Sequence, residues 1–360
     1  MKKLILLALL FAGCVHSYAG QPPLEFHDIP YAGVSGAAWP EKTVALPGVA
    51  ETYGMPKPPV VTYVELNPGG ARTIVFLHGL GSYLKFWRYQ LEAFSAAGYR
   101  VIALDMVGFG KSSKPSSFPY SMESMADVVW ELLKTQDLQK PILIGHSMGG
   151  QVALSFSIRY PEDAAALVLT APAGFERFSA KEKAWFTDAF STTLVKSAAE
   201  PGIWGSVRRA NFFRWTPEYE WLIEERVRLA QSKEFDQYAY AQVKSVHGLL
   251  ETGFTRDNLG TIVAPTLIIH GDEDRLIPNP FLHGGESRPL MEFGAAGIKG
   301  STLTTLESCG HMVQIDCHDE YNKAVLAWLD AHKTAAPAPK PKSSPAGEDP
   351  ASTETQTQPE

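Results

Sequence analysis

Ser147 lies in Gly145-His146-Ser147-Met148-Gly149-Gly150, between a short apolar run at 141–144 and an amphipathic stretch at 152–160. Such a run reads as a buried strand and the stretch as a helix, which puts Ser147 on the tight turn between them. This is the G-x-S-x-G nucleophile elbow. Gly145 and Gly149 allow torsions there that a Cβ would resist, and the helix N-terminus behind the hydroxyl favours developing negative charge. A serine hydroxyl becomes a competent nucleophile only when a base takes its proton and a carboxylate orients that base. Downstream, an apolar run at 266–270 ends in Gly271-Asp272-Glu273-Asp274, and a later run leads to Glu307-Ser308-Cys309-Gly310-His311-Met312. Serine, acid and histidine thus follow in the order expected after an elbow serine, each where a strand ends. The chemistry these residue types could do is acyl transfer.

The elements that must position them follow from apolar patterning. Strands are predicted at 60–64, 73–77, 99–104, 142–144, 166–170, 266–270 and 301–306, with helices at 86–97, 122–134 and 152–160. Strands alternating with helices predict an α/β fold: a mostly parallel sheet flanked by helices on both faces, with ligands gathered at the strand carboxyl ends. The alternation breaks between residues 174 and 260. That block is helical in pattern and crowded with aromatics: Trp185, Phe186, Phe190, Trp204, Phe212, Phe213, Trp215, Tyr219, Trp221, Phe235, Tyr238 and Tyr240. It reads as an inserted helical cap over 175–260. Most of these rings are expected to form the cap's own core, and the rest to line an apolar pocket over the strand ends.

Across residues 60–333 the chain resembles the α/β-hydrolase family, on Gly-His-Ser147-Met-Gly-Gly, Gly-Asp-Glu-Asp274-Arg-Leu-Ile-Pro and Gly-His311-Met-Val-Gln-Ile-Asp. The resemblance implies a core formed by 60–174 and 261–333. It makes Asp274, four residues before Pro278, the triad acid, and leaves Asp272 as a turn-capping carboxylate. His311 would be the base. The oxyanion hole would take the Met148 N–H and, from His78-Gly79-Leu80-Gly81, which is similar to the family's His-Gly-x motif, the Leu80 N–H. His146 is expected to support the elbow. His16, His27, His247, His283, His318 and His332 read as satisfied surface or core residues. Asp105-Met106-Val107-Gly108-Phe109-Gly110-Lys111-Ser112-Ser113 ends like a phosphate-binding loop, but the first glycine of that motif would fall on Asp105. The stretch matches the hydrolase family's Asp-x-x-Gly-x-Gly-x-Ser loop instead. No zinc or EF-hand spacing is present, and neither cofactor nor metal is expected.

With 360 residues the chain can bury an ample core, and its net charge of −7 argues against a nucleic-acid partner. Arg208-Arg209 is an isolated basic pair. The first twenty residues read as an export leader, with Lys2-Lys3 ahead of an apolar run at 4–11. Two cleavage points compete. Phe11-Ala12-Gly13-Cys14 resembles the bacterial lipobox, which would make a lipidated Cys14 the mature amino terminus and anchor the protein to a membrane. Ser17-Tyr18-Ala19 before Gly20 is a small-x-small site of the ordinary kind. The lipobox is preferred, and either route places the protein in the periplasm or envelope. Residues 21–59, rich in Pro and Gly, read as a leader followed by an irregular or edge-strand entry into the domain, and 334–360 reads as a disordered tail.

Cys309 and Cys317 flank His311, and a bridge between them would pin its loop. Two free, half-buried thiols are the preferred reading, since spacing cannot test bridge geometry.

The function expected is a serine hydrolase acting on an ester, thioester or lactone of an apolar small molecule. Carbon–carbon bond hydrolases and cofactor-free perhydrolases share the triad and stay open. A peptidase would need a charged anchor, for which Glu218 and Glu224-Glu225 are ordinary helix surface. A non-catalytic envelope binding protein on the same fold is the remaining alternative.

Overall fold

The computed structural model describes residues 17–332. The leader up to His16 and the tail from Lys333 lie outside them, with Cys14 and the lipobox.

Eight strands form one sheet: β1 (Glu41–Ala45), β2 (Val60–Leu66), β3 (Thr73–Leu77), β4 (Arg100–Leu104), β5 (Ile142–His146), β6 (Ala166–Thr170), β7 (Thr266–Gly271) and β8 (Thr302–Leu306). Their order is β1-β2-β4-β3-β5-β6-β7-β8, antiparallel at β1/β2 and β2/β4 and parallel from β4 to β8. Every residue of β5, β6 and β7 is buried, which a sheet achieves only when both of its faces are covered. Helices α1 (Pro47–Tyr53), α2 (Arg88–Ala96), α3 (Met122–Thr135) and α4 (Met148–Arg159) supply part of that cover. The outermost β1 exposes Glu41 and Lys42, charges that discourage edge-to-edge pairing.

The parallel register sets the site. Leu77 is level with Gly145, Gly145 with Leu169, Thr170 with Ile269, and Gly271 with Leu306. The segments after β3, β5, β6, β7 and β8 therefore leave the sheet along one carboxyl edge, where backbone groups are free to meet a ligand.

Between β6 and β7 the chain forms the cap: α5 (Ala180–Ala189), α6 (Thr192–Lys196), α7 (Glu200–Gly205), α8 (Trp221–Leu229), α9 (Phe235–Leu250) and α10 (Gly253–Arg256). A capping box starts α5: Ser179 Oγ accepts the Glu182 N–H, and the Glu182 carboxylate accepts the Ser179 N–H. The remaining helices are α11 (Arg288–Gly297), α12 (Val313–Asp316) and α13 (His318–Ala331). In α13, Tyr321, Val325, Trp328 and Leu329 are buried, a helical stripe that docks it on the core beside α2.

Two differences from the sequence reading matter. Helix α4 begins at Met148, four residues ahead of the expected 152, because Gly149 and Gly150 belong to its first turn. A Cβ at Gly149 would collide with the Leu77 carbonyl oxygen, and one at Gly145 with that of Gly149. These glycines serve close approach of helix to sheet as well as turn geometry. The lead-in is also more than an irregular stretch: Leu24, Phe26, Ile29, Tyr31 and Trp39 are buried in the main core.

Candidate active site

Ser147 has φ 53° and ψ −114°, outside the regions most side chains adopt, and it caps α4. Such torsions cost on the order of 1–3 kcal/mol and persist only where surroundings enforce them. Here they are enforced by backbone bonds: Ser147 N–H donates to Thr170 O at 2.9 Å, and Ser147 O accepts from Gly150 N–H at 2.9 Å and Ala173 N–H at 3.0 Å. The elbow is thereby fixed to β6 and to the start of the cap.

Asp274 sits in the turn after β7, its side chain fully shielded from solvent. Oδ1 accepts the N–H groups of Leu276 at 2.8 Å and Ile277 at 3.1 Å, and Oδ2 accepts from His311 Nδ1 at 2.8 Å. With its proton on Nδ1, His311 turns the Nε2 lone pair outward, a tautomer that follows from the acceptor-only carboxylate. Asp272 is elsewhere: Oδ1 accepts the Cys309 N–H at 3.4 Å and makes no bond to His311. Ser147 and His311 line one cavity. Among the described residues no hydrogen bond joins Ser147 Oγ to His311 Nε2, as is common for acid–base pairs before substrate tightens them.

Three groups brace this arrangement. His146, buried, donates from Nε2 to the His311 carbonyl oxygen at 3.1 Å. Burial and the neighbouring His311 hold its pKa well below the ordinary value, so it is neutral. His78, before the Gly79-Leu80 turn, accepts the Met106 N–H on Nε2 at 3.0 Å and donates from Nδ1 to Gly79 O at 2.8 Å. Burial lowers its pKa to about 4. Asp316 is the third, and sequence reasoning assigned it no role. Its carboxylate accepts N–H groups from Gly310 at 2.7 Å, Phe213 at 2.7 Å and Arg214 at 2.8 Å, which stitches the histidine loop to the cap.

Cys309 and Cys317 are bridged, with Cα atoms 6.0 Å apart. The preference for two free thiols does not hold, because α12 turns the chain back and returns Cys317 beside Cys309. The bridge closes a short loop around His311.

Leu80 lines the cavity, and Met148 supplies the first N–H of α4, one of the groups a helix leaves without an internal partner. Asp105 is the organiser of the loop that mimics a phosphate site. Buried, it accepts N–H groups from Leu84 and Lys111, each at 2.8 Å, and the Tyr31 hydroxyl, and burial raises its pKa to about 6.

The cavity between cap and sheet edge measures about 810 Å³. Phe186, Phe190, Phe212 and Tyr238 line it, while Trp204, Trp215 and Tyr219 pack within the cap. Its walls carry one Arg or Lys, Arg226, already engaged by Gly81 O, the Tyr238 hydroxyl and Gln242 Oε1. Glu176, also on the lining, pairs with His283. Among the described residues no cluster of three His, Cys, Asp or Glu side chains could hold a metal ion, and no helix is long and apolar enough to cross a membrane. The arrangement can activate a hydroxyl beside a large apolar volume.

A family model described as alpha/beta hydrolase fold matches residues 72–316. The chain is 29% identical over 285 residues to the AB hydrolase superfamily protein YisY of Bacillus subtilis, covering 76% of this chain and 96% of that one. It is 29% identical over 272 residues to a 2-hydroxy-6-oxononadienedioate/2-hydroxy-6-oxononatrienedioate hydrolase of Klebsiella pneumoniae, covering 72% and 88%. A solved structure of a probable hydrolytic enzyme from Pseudomonas aeruginosa superposes with a TM-score of 0.76 at 25% identity, covering 87% of this chain and 99% of that one.

Proposed function

The chain belongs to the alpha/beta hydrolase fold family, and from that premise we propose that it is a serine hydrolase cleaving esters of apolar acids through an acyl-enzyme on Ser147. The observation that carries this reading is the shared cavity: Ser147 and His311 meet in an apolar space whose base is held by Asp274.

His311 Nε2 takes the hydroxyl proton as Ser147 Oγ attacks the ester carbonyl. The Leu80 and Met148 N–H groups receive the charge that develops on the carbonyl oxygen, each donor worth about 10²–10³ in rate. His311 then returns the proton to the departing alkoxide, and the alcohol leaves. Water, deprotonated by the same nitrogen, attacks the acyl carbonyl and regenerates Ser147. Asp274 keeps the imidazole in the working tautomer and stabilises the imidazolium.

The cavity favours a neutral apolar substrate over a doubly anionic one. A dioate brings two carboxylates, and Arg226, the one Arg or Lys on the walls, is held by Gly81, Tyr238 and Gln242. This weighs against the carbon–carbon reading, and Glu176, the one Asp or Glu on the lining, is already paired with His283, which weighs against a peptidase. Thioesters and lactones of apolar acids fit the same chemistry. Initial rates on p-nitrophenyl esters of increasing acyl length, beside aminoacyl amides and a dienedioate, test the assignment. Turnover of the esters that improves beyond acetyl is expected; turnover confined to amides or to the dioate would overturn it.

A further inference from the structure

We propose that residues 17–19 are a clasp of the mature cap, and that the export leader is removed upstream of Ser17 rather than after Ala19. This rests on reading Lys2-Lys3 and the apolar run at 4–11 as the core of an export leader, and it is independent of the substrate assignment.

Glu200, the first residue of α7, is bound by all three clasp residues. Its carboxylate accepts the Ser17 hydroxyl at 2.7 Å, the Tyr18 N–H at 3.1 Å and the Ala19 N–H at 3.0 Å. The Tyr18 side chain is buried with Ile203, Ile223 and Val227 and stacks on Trp204, with ring centroids 6.4 Å apart. Its hydroxyl donates to Glu220 at 3.1 Å. The same strand of chain continues along α8: Leu24 N–H donates to Arg228 O at 3.2 Å, and Glu25 accepts the Ser232 hydroxyl at 2.7 Å and the Lys233 N–H at 3.1 Å.

A cut after Ala19 would discard the ring that covers Ile223, itself fully buried, and would strip from Glu200 its bonds to the clasp. Ile203, on the helix so released, lines the catalytic cavity. A segment that completes an apolar cluster and satisfies a carboxylate on the cap is built as part of the fold. With the site after Ala19 set aside, hydrolysis falls at the other processing signal, between Gly13 and Cys14, and Cys14 becomes the mature amino terminus.

Full-length chain expressed in a bacterial host, followed by mass mapping of the mature amino-terminal peptide, tests this. A peptide starting at Cys14 and containing residues 17–19 is expected. One starting at Gly20 would overturn the proposal, and an uncut Met1 would overturn its leader half. Ala19 is exposed, so Ala19→Arg leaves the fold intact while blocking a small-x-small cut; processing should be unchanged, and accumulation of precursor would contradict the proposal. For the clasp itself, Tyr18→Ala should lower Tm by several °C and raise KM for a long-chain ester, with Tyr18→Phe nearer wild type. A Tyr18→Ala protein with unaltered Tm would refute it.

Discussion

His146, the residue before the nucleophile, holds the base in place: its Nε2–H donates to the backbone carbonyl of His311 at 3.1 Å. One side chain on the elbow thus couples β5 to the loop after β8, and any shift of one moves the other. Replacing it with Phe keeps a ring of similar size and removes the donor, leaving a buried carbonyl unpaired. Such a loss costs about 1–3 kcal/mol. His146→Phe should therefore show a lower Tm, and a kcat reduced roughly 10-fold through misplacement of the base. Thermal melts and steady-state kinetics on one ester check both; a variant indistinguishable from wild type would deny the coupling.

The two carboxylates of the acid turn separate cleanly. The Asp274 carboxylate bonds His311 at 2.8 Å, whereas the Asp272 carboxylate accepts the Cys309 N–H at 3.4 Å. Asp274→Asn should drop kcat by about 10⁴-fold, because an amide can present its N–H to Nδ1 and select the wrong tautomer. Asp272→Asn should remain within about tenfold of wild type, since it loses one long hydrogen bond of modest worth. Parallel kcat measurements decide it, and the reverse ranking would exchange their roles.

Asp316 joins cap to histidine loop through the N–H groups of Gly310, Phe213 and Arg214. Asp316→Ala leaves three N–H groups to find new partners, so both Tm and kcat should fall, and KM should rise as residues 211–214 loosen at the cavity wall. Asp316→Asn keeps one acceptor oxygen and should lie between. An Asp316→Asn variant indistinguishable from wild type beside an impaired Asp316→Ala would show that volume, not hydrogen bonding, is what the site needs.

Stability should fall on acidification. His78 titrates near 6.5 when unfolded and at about 4 when folded, because burial penalises its cation. A depressed histidine pKa means the unfolded chain binds the proton first. The stabilisation is therefore complete above about pH 6.5 and is lost as pH falls toward 4, at up to about 1.4 kcal/mol per pH unit for each such group. His146 and His270 are shifted in the same direction, with burial the largest cause in each. Asp105 opposes them: raised to about 6, it holds its proton better when folded, so its contribution declines as pH rises from about 4 to 6. His247 is shifted with the other depressed rings, while Glu176, Glu225, Asp316 and His283 are raised and oppose them. The carboxylates act from their ordinary range of about 4 upward, so the four depressed rings govern the upper part of the range and Tm should drop as pH falls from about 6.5 toward about 5. A flat Tm across that range would show that these rings protonate freely in the native state.

Much of the site was legible because the elements that carry it are extreme in pattern. Unbroken apolar runs such as 142–144 and 266–270 announce strands covered on both faces, and residues that follow such strands fall on one edge. Legibility ended where contacts between distant segments decide the outcome. Gly149-Gly150 reads locally as a turn, yet close approach to Leu77 makes it the start of α4. Asp316 closes the Gly-His311-Met-Val-Gln-Ile-Asp stretch, yet its role is not readable there, since its partners at 213 and 214 lie about a hundred residues away. The clasp at Tyr18 is hidden in a stretch without periodicity and is recognisable only once Ile223 and Glu200 stand beside it. Among the cap aromatics, periodicity cannot separate Phe190, which faces the cavity, from Trp215, which faces the cap interior.

The central claim, that Ser147 is a nucleophile activated by His311, is tested most directly by intact mass after incubation with a fluorophosphonate. Wild-type protein should gain one adduct, mapped to Ser147; Ser147→Ala should gain none, and Asp274→Asn should react far more slowly. An unlabelled wild-type protein, or an adduct that persists in Ser147→Ala, would contradict the assignment.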